Sequence, residues 1–398
     1  MMKAYQKSVN AHKGFLAENF FEKEVSRRDF LRKGSIFLIG IGLGKRLFNL
    51  FNGDKKLTMD KGSLREAMFY KRLDKDVVQC EVCFRGCVLK QEQRSFCRNK
   101  VNIDGKLYSL VHSRPSAVHI DPIEKEPAYH MFPGTEILCF GTAGCNFRCK
   151  FCHNWHLSQK SIEEMDYIYE LTPEQGVDIA ISKKIPTLSF TYNEPTSFYE
   201  YVYDMAKIAK EKGLNILFHS NGSMSPKPLK ELLKFTDAVT IDLKGFTNEF
   251  YENTSSAKLE PCMKTLEIIK EENKWLEIVN LLIPGLNDNH DDIKRMCLWI
   301  KEHLGDDVPL HFSRFFPNYK LTNIPATSIK DLEKAHRIAK DAGLQYVTIG
   351  NVPGHELNST FCPNCQKRII HRVHFQVLKN NVKNGKCKFC GYSIPGIW

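Results

Sequence analysis

The 398-residue chain has no low-complexity tract and no repeat with a period of about 20 to 50 residues, which excludes a solenoid, a propeller or an array of short modules. It also has no apolar run long enough for an ordinary membrane span. The stretch SIFLIGIGLG, residues 35–44, is half of the ~20 residues such a helix needs. Acidic residues are missing where basic ones concentrate: residues 361–398 hold seven Lys and Arg and no Asp or Glu, and residues 1–60 hold twelve against six. The net charge of +11 therefore sits on the two ends and leaves the middle near −2. Charge gives no reason to expect the central part to bind nucleic acid, and basic ends of this kind are ordinarily solvated. With 42% apolar and 26% charged residues the composition is that of a folded globular protein. The length suits one large domain of roughly 200 to 250 residues with smaller appendages.

Cysteine is what the chain has in excess. Eleven of its fourteen cysteines fall into three groups: Cys80, Cys83, Cys87 and Cys97; Cys145, Cys149 and Cys152; and Cys362, Cys365, Cys387 and Cys390. Clustered C-x2-C pairs close small metal-chelate loops, whereas disulfide scaffolds are usually short secreted chains with poor cores, so the groups read as metal sites. Cys139, Cys262 and Cys297 stand alone and read as small buried hydrophobes.

The middle of the chain alternates. Apolar runs of strand length occur at 136–141, 187–192, 215–220, 238–243, 276–283, 309–315 and 345–350, and amphipathic stretches such as 172–184 and 327–343 lie between them. Strand then helix, repeated about six times, predicts an α/β fold of βαβ units around a parallel sheet, either a barrel or an open sheet. In both, chemistry gathers at the carboxyl ends of the strands.

Just past the first of these strands comes GTAGCNFRCKFCHNW, with C-x3-C-x2-C spacing. Three thiolates leave one iron of a [4Fe–4S] cluster without a protein ligand. An open coordination position separates a reactive metal site from a structural one, and here it could take the amine and carboxylate of S-adenosylmethionine. A structural metal knuckle is the alternative.

This spacing, with aromatic Phe151 before the last cysteine, on the loop after strand one of a βα array, resembles the radical S-adenosylmethionine superfamily. The segments SFTYNEPTSFYEY, HSNG, DLKGF, LLIPGLND and HFSRFFPNYKL follow in order at the ends of later strands. With DPIEKEPAYHMFPGT and the terminal GKCKFCGYSIPGIW they resemble the radical enzyme of the AmmeMemoRadiSam system, a relative of pyruvate formate-lyase activating enzymes, from about Cys80 to Trp398. One departure is His153, where that family more often carries Gln.

The resemblance implies a partial (β/α)6 radical S-adenosylmethionine barrel, with Cys145, Cys149 and Cys152 binding the cluster and Phe151 contacting the adenine of the cofactor. It places Glu194 on the methionyl amine, and Asn221, Gly222, Asp242 and Lys244 around the cofactor; a turn plus a strand-end salt bridge is the plainer reading of the last four. It implies electron delivery from a flavodoxin- or ferredoxin-like donor and reductive cleavage to methionine and a 5′-deoxyadenosyl radical, which takes hydrogen from a protein or small-molecule substrate. Memo-type and AMMECR-type proteins are the expected companions.

The flanking cysteines read separately. FCPNC and CKFCG form C-x2-C-x21-C-x2-C, close to a zinc ribbon, with an iron centre as the alternative; the Cys80 group suits either zinc or an auxiliary [4Fe–4S] cluster. His130 reads as an ordinary hydrogen-bonded loop histidine. Two other functional classes stay open on these residues: an RNA-modifying radical enzyme gripping with the basic ribbon, and a non-catalytic iron–sulfur electron carrier. The ribbon lacks a stacking-aromatic pattern, and a carrier has no use for Glu194 beside an open iron.

SRRDFLRKG, residues 26–34, resembles a twin-arginine export signal backed by the apolar stretch. Export by this signal is expected or, since no A-x-A cleavage site is evident before Cys80, an uncleaved anchor with membrane association through this segment; a cytoplasmic location is the alternative. The expected division is a signal-like segment over 1–60, a Cys-rich region over 61–130, a βα core over 131–355 and a zinc-ribbon-like module over 356–398.

Overall fold

A computed structural model describes residues 64–398, so the twin-arginine segment and its apolar stretch lie outside the described residues. The chain first forms two small antiparallel sheets. Strands β1 (Arg65–Glu66), β5 (Lys100–Ile103) and β6 (Lys106–Ser109) make one, in the order β1-β6-β5; β2 (Tyr70–Arg72), β3 (Val78–Cys80) and β4 (Val88–Leu89) make the other. They carry the first cysteine group.

The central sheet has eight strands in sequential order: β7 (Ala117–Pro122), β8 (Glu136–Gly141), β9 (Thr187–Phe190), β10 (Asn215–Ser220), β11 (Ala238–Asp242), β12 (Trp275–Leu282), β13 (Leu310–Arg314) and β14 (Val347–Gly350). From β8 to β14 every pairing is parallel. These are the seven runs read from the sequence, and they are legible because a parallel sheet buried on both faces needs near-continuous apolar strands. All four residues of β9 and of β14 are buried, and only Glu136 of β8 is exposed. The two ends of the sheet, β7 and β14, do not pair with each other, so it is not a closed barrel.

Six crossovers return each strand to the next through α1 (Trp155–Ser158) and α2 (Pro173–Ser182), α3 (Tyr199–Glu211), α4 (Pro226–Leu233), α5 (Asn248–Ser255) and α6 (Leu259–Glu271), α7 (His290–Leu304) and α8 (Ile329–Asp341). The starts follow ordinary capping chemistry. Thr172 and Gln175 form a reciprocal capping box on α2, Asn289 accepts from two backbone N–H groups of α7, and Ser328 accepts from Asp331 on α8.

One boundary differs from the sequence reading. Strand β7 pairs antiparallel with β8 over six residues, from Ala117 opposite Gly141 to Pro122 opposite Glu136, so the core begins near 117 and not at 131. The strand hid because its last five residues are partly or fully exposed and AVHIDP shows no apolar run. At the other end β15 (Thr360–Phe361), β16 (Arg368–Val373) and β17 (Gln376–Asn380) form one antiparallel sheet, and β18 (Val382–Lys383) pairs with β19 (Lys386–Cys387). This module has its own small core of Cys362, Ile369, Ile370, Cys387 and Ile394, with Tyr346 of the preceding loop packed into it. Among the described residues no helix is long and apolar enough to cross a membrane.

Candidate active site

The cysteine loop springs from the carboxyl end of β8 and is held from two sides. Asn193, after β9, accepts from Thr142 N at 3.1 Å and donates to the carbonyls of Ala143 and Gly144 at 3.3 and 2.7 Å. Gly144 has φ +79°, and a Cβ there would run into the carbonyl oxygen of Cys97 and the side chain of Asn99. Only glycine lets the two cysteine-bearing loops approach this closely.

Cys145 and Cys149 are buried and Cys152 is half-buried. The Phe147 N–H donates to Cys145 Sγ at 3.3 Å, and Cys152 Sγ lies 3.2 Å from Ser158 Oγ. Burial pushes the Cys149 thiol up to about 11 even though the Lys244 cation works against it. The thiolate form therefore needs a compensating cation, which a bound iron centre provides. All three cysteines line a cavity of about 340 Å³ at the carboxyl ends of the strands, within the usual size range of small-molecule sites.

Facing the cysteines across the cavity is a charged group built on β10 and β11. Lys244 Nζ donates to Asp242 Oδ2 at 2.8 Å, and His219 Nε2 lies 3.1 Å from Asp242 Oδ1. The other ring nitrogen of His219 sits 3.6 Å from Glu126. Burial disfavours the His219 cation, but Asp242 and Glu126 outweigh it and lift its pKa to about 10, so the ring is an imidazolium at neutral pH. Burial likewise opposes ionisation of Asp242, and the two neighbouring cations overcome it to hold the carboxyl well below its usual range. The Asp242 carboxylate is thus fixed between two cations, with Glu126 at the other ring nitrogen of His219, and Glu124 and Lys125 also line the cavity. Phe151 is buried beneath this group, with Lys244 Nζ 5.8 Å from its ring centroid.

Glu194, expected on the methionyl amine, is held by the protein's own donors. Glu194 is fully buried and caps the short helical turn Pro195–Phe198. Its Oε1 accepts from Thr196 N at 3.0 Å, Thr196 Oγ1 at 2.6 Å and Ser220 Oγ at 2.8 Å, while Oε2 accepts from Asn221 N at 2.8 Å. Four internal donors occupy the carboxylate, and it is not among the groups lining the cavity. Gly222 sits in the turn after β10, where a φ of +72° and the 2.7 Å that would separate an added Cβ from Cys262 Sγ require glycine. Asn221 lines the cavity, but its Nδ2 donates to Asn146 Oδ1 at 2.8 Å, which steadies the cysteine loop.

Several lining residues were not singled out in the sequence. Asn193 and His219 lie inside the segments YNEP and HSNG, where proximity to the motif was the only signal. His374 and Phe375 form the tip of the β16–β17 hairpin and bring the C-terminal module to the cavity, which no local pattern announces. His153 lines the cavity, with burial lowering its pKa. His130 is the structural histidine expected: its N–H donates to Glu277 at 2.8 Å and its ring lies against Trp275, Tyr346 and Trp398.

The three cysteine sets differ in spread. Among the described residues, all four ribbon sulfurs lie within 4.8 Å of one another, whereas no three sulfurs of the Cys80 set, or of the Cys145 set, do so. The ribbon pairs Cys362–Cys390 and Cys365–Cys387 are separated by 3.7 and 3.8 Å. A tetrahedral ion with ~2.3 Å metal–sulfur bonds places its sulfurs ~3.8 Å apart, so the ribbon can hold one zinc ion as it stands.

Comparison with known proteins agrees with this geometry. Residues 140–300 match the family described as the Radical SAM superfamily. The chain is 44% identical over 333 residues to the uncharacterized protein MJ0808 of Methanocaldococcus jannaschii, covering 83% of this chain and 99% of that protein. It is 22% identical over 228 residues to the pyruvate formate-lyase-activating enzyme of Clostridium pasteurianum, covering 52% of this chain and 92% of that one. It is 24% identical over 170 residues to the pyruvate formate-lyase 1-activating enzyme of Escherichia coli K12, covering 41% and 68%.

Proposed function

The chain belongs to the radical S-adenosylmethionine superfamily, and we propose that it is an activating-enzyme-like radical enzyme in which Cys145, Cys149 and Cys152 hold a [4Fe–4S] cluster. One observation carries this reading: those three thiols open onto the same cavity as the fixed Asp242–Lys244–His219 group. When bound, the cluster and S-adenosylmethionine supply one-electron reductive cleavage of the sulfonium, giving methionine and a 5′-deoxyadenosyl radical that takes a hydrogen atom from the substrate.

The residues present fit that pair of groups. Three thiols leave one iron open. The Asp242 carboxylate suits the ammonium of an amino acid, and the Lys244 and His219 cations suit its carboxylate. Phe151 supplies an apolar face for the adenine. Glu194 acts one step back, fixing Ser220 and Asn221 at the cavity edge. The hairpin tip at His374 and Phe375 helps to exclude water and oxygen.

The finer reading is the radical enzyme of the AmmeMemoRadiSam system, acting on a protein or a small molecule, with a flavodoxin- or ferredoxin-like donor and Memo-type and AMMECR-type companions. The experiment is electron paramagnetic resonance of the anaerobically reconstituted, reduced chain with and without S-adenosylmethionine. A cofactor seated on the open iron changes the spectrum, and Asp242→Asn weakens that response at least tenfold in cofactor concentration. An unchanged spectrum at saturating cofactor contradicts the proposal.

A further inference from the structure

The first cysteine group belongs to neither the described cavity nor the ribbon. Cys80, Cys83, Cys87 and Cys97 line one small separate cavity with Arg85, Phe96 and Lys100 among its walls. Cys80 and Cys97 are buried, and the other two are half-buried. The four share one cavity wall, and no three of their sulfurs lie within 4.8 Å of one another, in contrast to the ribbon. In a cubane each thiolate caps a different iron, so the four ligand sulfurs stand farther apart than around one tetrahedral ion. Donors already face the sulfurs: Phe96 N–H donates to Cys87 Sγ at 3.5 Å, and Ser95 Oγ lies 3.0 Å from Cys97 Sγ. Hydrogen bonds to ligand sulfurs are one of the ways a protein sets the potential of such a cluster.

Its placement is specific. The Cys97 carbonyl packs against Gly144, one residue from Cys145. Arg85 Nε donates to the carbonyl of Asn146 at 2.7 Å. Cys83 bridges Met224, and Ser225 N donates to the Val82 carbonyl at 2.9 Å, so the same loop also pairs with the turn carrying Asn221. On its other side the group approaches solvent, where Val88, next to Cys87, is 55% exposed.

We propose that Cys80, Cys83, Cys87 and Cys97 bind a second [4Fe–4S] cluster, which passes single electrons from an external donor to the cluster at Cys145, Cys149 and Cys152. A reduced flavodoxin- or ferredoxin-type protein gives up one electron and takes the second cluster from the 2+ to the 1+ state. Transfer inward returns it to 2+ and reduces the first cluster by one electron. The relay rests on the function proposed above; the binding of the second cluster does not.

The test is metal and sulfide analysis of the full chain, reconstituted anaerobically, with Cys145, Cys149 and Cys152 all changed to Ala. The second cluster predicts about four iron, four sulfide and one zinc per chain, and loss of that iron when Cys80→Ala and Cys83→Ala are added. Two zinc ions and no iron overturn the proposal. Should the triple variant fail to fold, the wild-type chain decides: about eight iron and one zinc support it, and about four iron and two zinc overturn it. The relay has its own readout. Two reduced clusters close enough for the relay broaden and split each other's paramagnetic resonance signal, and two independent unsplit signals contradict the relay. A chain with eight iron that leaves S-adenosylmethionine intact would refute the function proposed above and leave the second cluster standing.

Discussion

Arg372 of β16 places its Nε 3.7 Å from Oε1 of Glu124, and neither side chain has any exposed surface. The guanidinium also donates to Thr360 Oγ1 at 2.7 Å and to the Tyr129 carbonyl at 2.6 Å, with its carbon 4.3 Å over the Tyr129 ring. The pair locks the C-terminal module onto the segment that enters the sheet, two residues before the hairpin tip reaches the cavity. Removing one partner leaves a buried charge alone, which costs about 3–5 kcal/mol. Arg372→Met is expected to lower the unfolding free energy in denaturant titration by that amount. Adding Glu124→Gln should recover part of the loss, and additive losses would show that the two charges are not coupled.

Glu194 yields a second expectation. Glu194→Gln puts an amide NH₂ opposite donors that now face a carboxylate: one orientation meets Asn221 N–H, the other meets Thr196 and Ser220. The loss is about 1–3 kcal/mol, visible as a lower melting temperature of the chain without cofactor. A residue that only contacts the methionyl amine would leave that melting temperature unchanged and weaken cofactor binding alone.

His219 gives the pH dependence a sign. Its pKa is raised to about 10 in the folded chain, through Asp242 and Glu126 acting against burial, and an ordinary unfolded histidine titrates near ~6.5. The folded state therefore binds one more proton than the unfolded state across that window, so this contribution is fully present below about 6.5 and is lost as pH rises toward 10. His219→Gln should flatten the stability curve between these values. An equal slope in variant and wild type would show that the ring is not charged in the folded chain.

The ribbon supplies a metal test. Cys362→Ser, or treatment with a strong chelator, is expected to remove about one zinc per chain and loosen residues 356–398, since structural zinc contributes directly to folding. Limited proteolysis should then cut within β16–β17 while the central sheet resists. Unchanged zinc content in the variant would place the metal elsewhere.

The parallel core was legible in the sequence because each of its strands is buried on both faces and reads as a short apolar run ending in a motif. The cysteine loop was legible for the same reason: it follows EILCFG, and parallel sheets put their chemistry at the strand ends. Strand β7 was hidden by its exposed edge. The internal partners of Glu194 were not legible, because a carboxylate in a motif looks the same whether it faces a ligand or caps its own turn, and only the fold brings Ser220 and Asn221 to it. The reach of Arg372, His374 and Phe375 depends on contacts more than two hundred residues apart in the chain, such as Arg372 with Tyr129, which no local pattern encodes.

The proposed chemistry resides at Cys145, Cys149 and Cys152. It is tested most directly by incubating the anaerobically reconstituted, reduced full chain with S-adenosylmethionine and measuring 5′-deoxyadenosine and methionine. Wild type is expected to form both in equal amounts, and Cys149→Ala to form neither. A wild-type chain that holds its iron and yields no 5′-deoxyadenosine, or a Cys149→Ala chain that yields as much as wild type, would contradict the account.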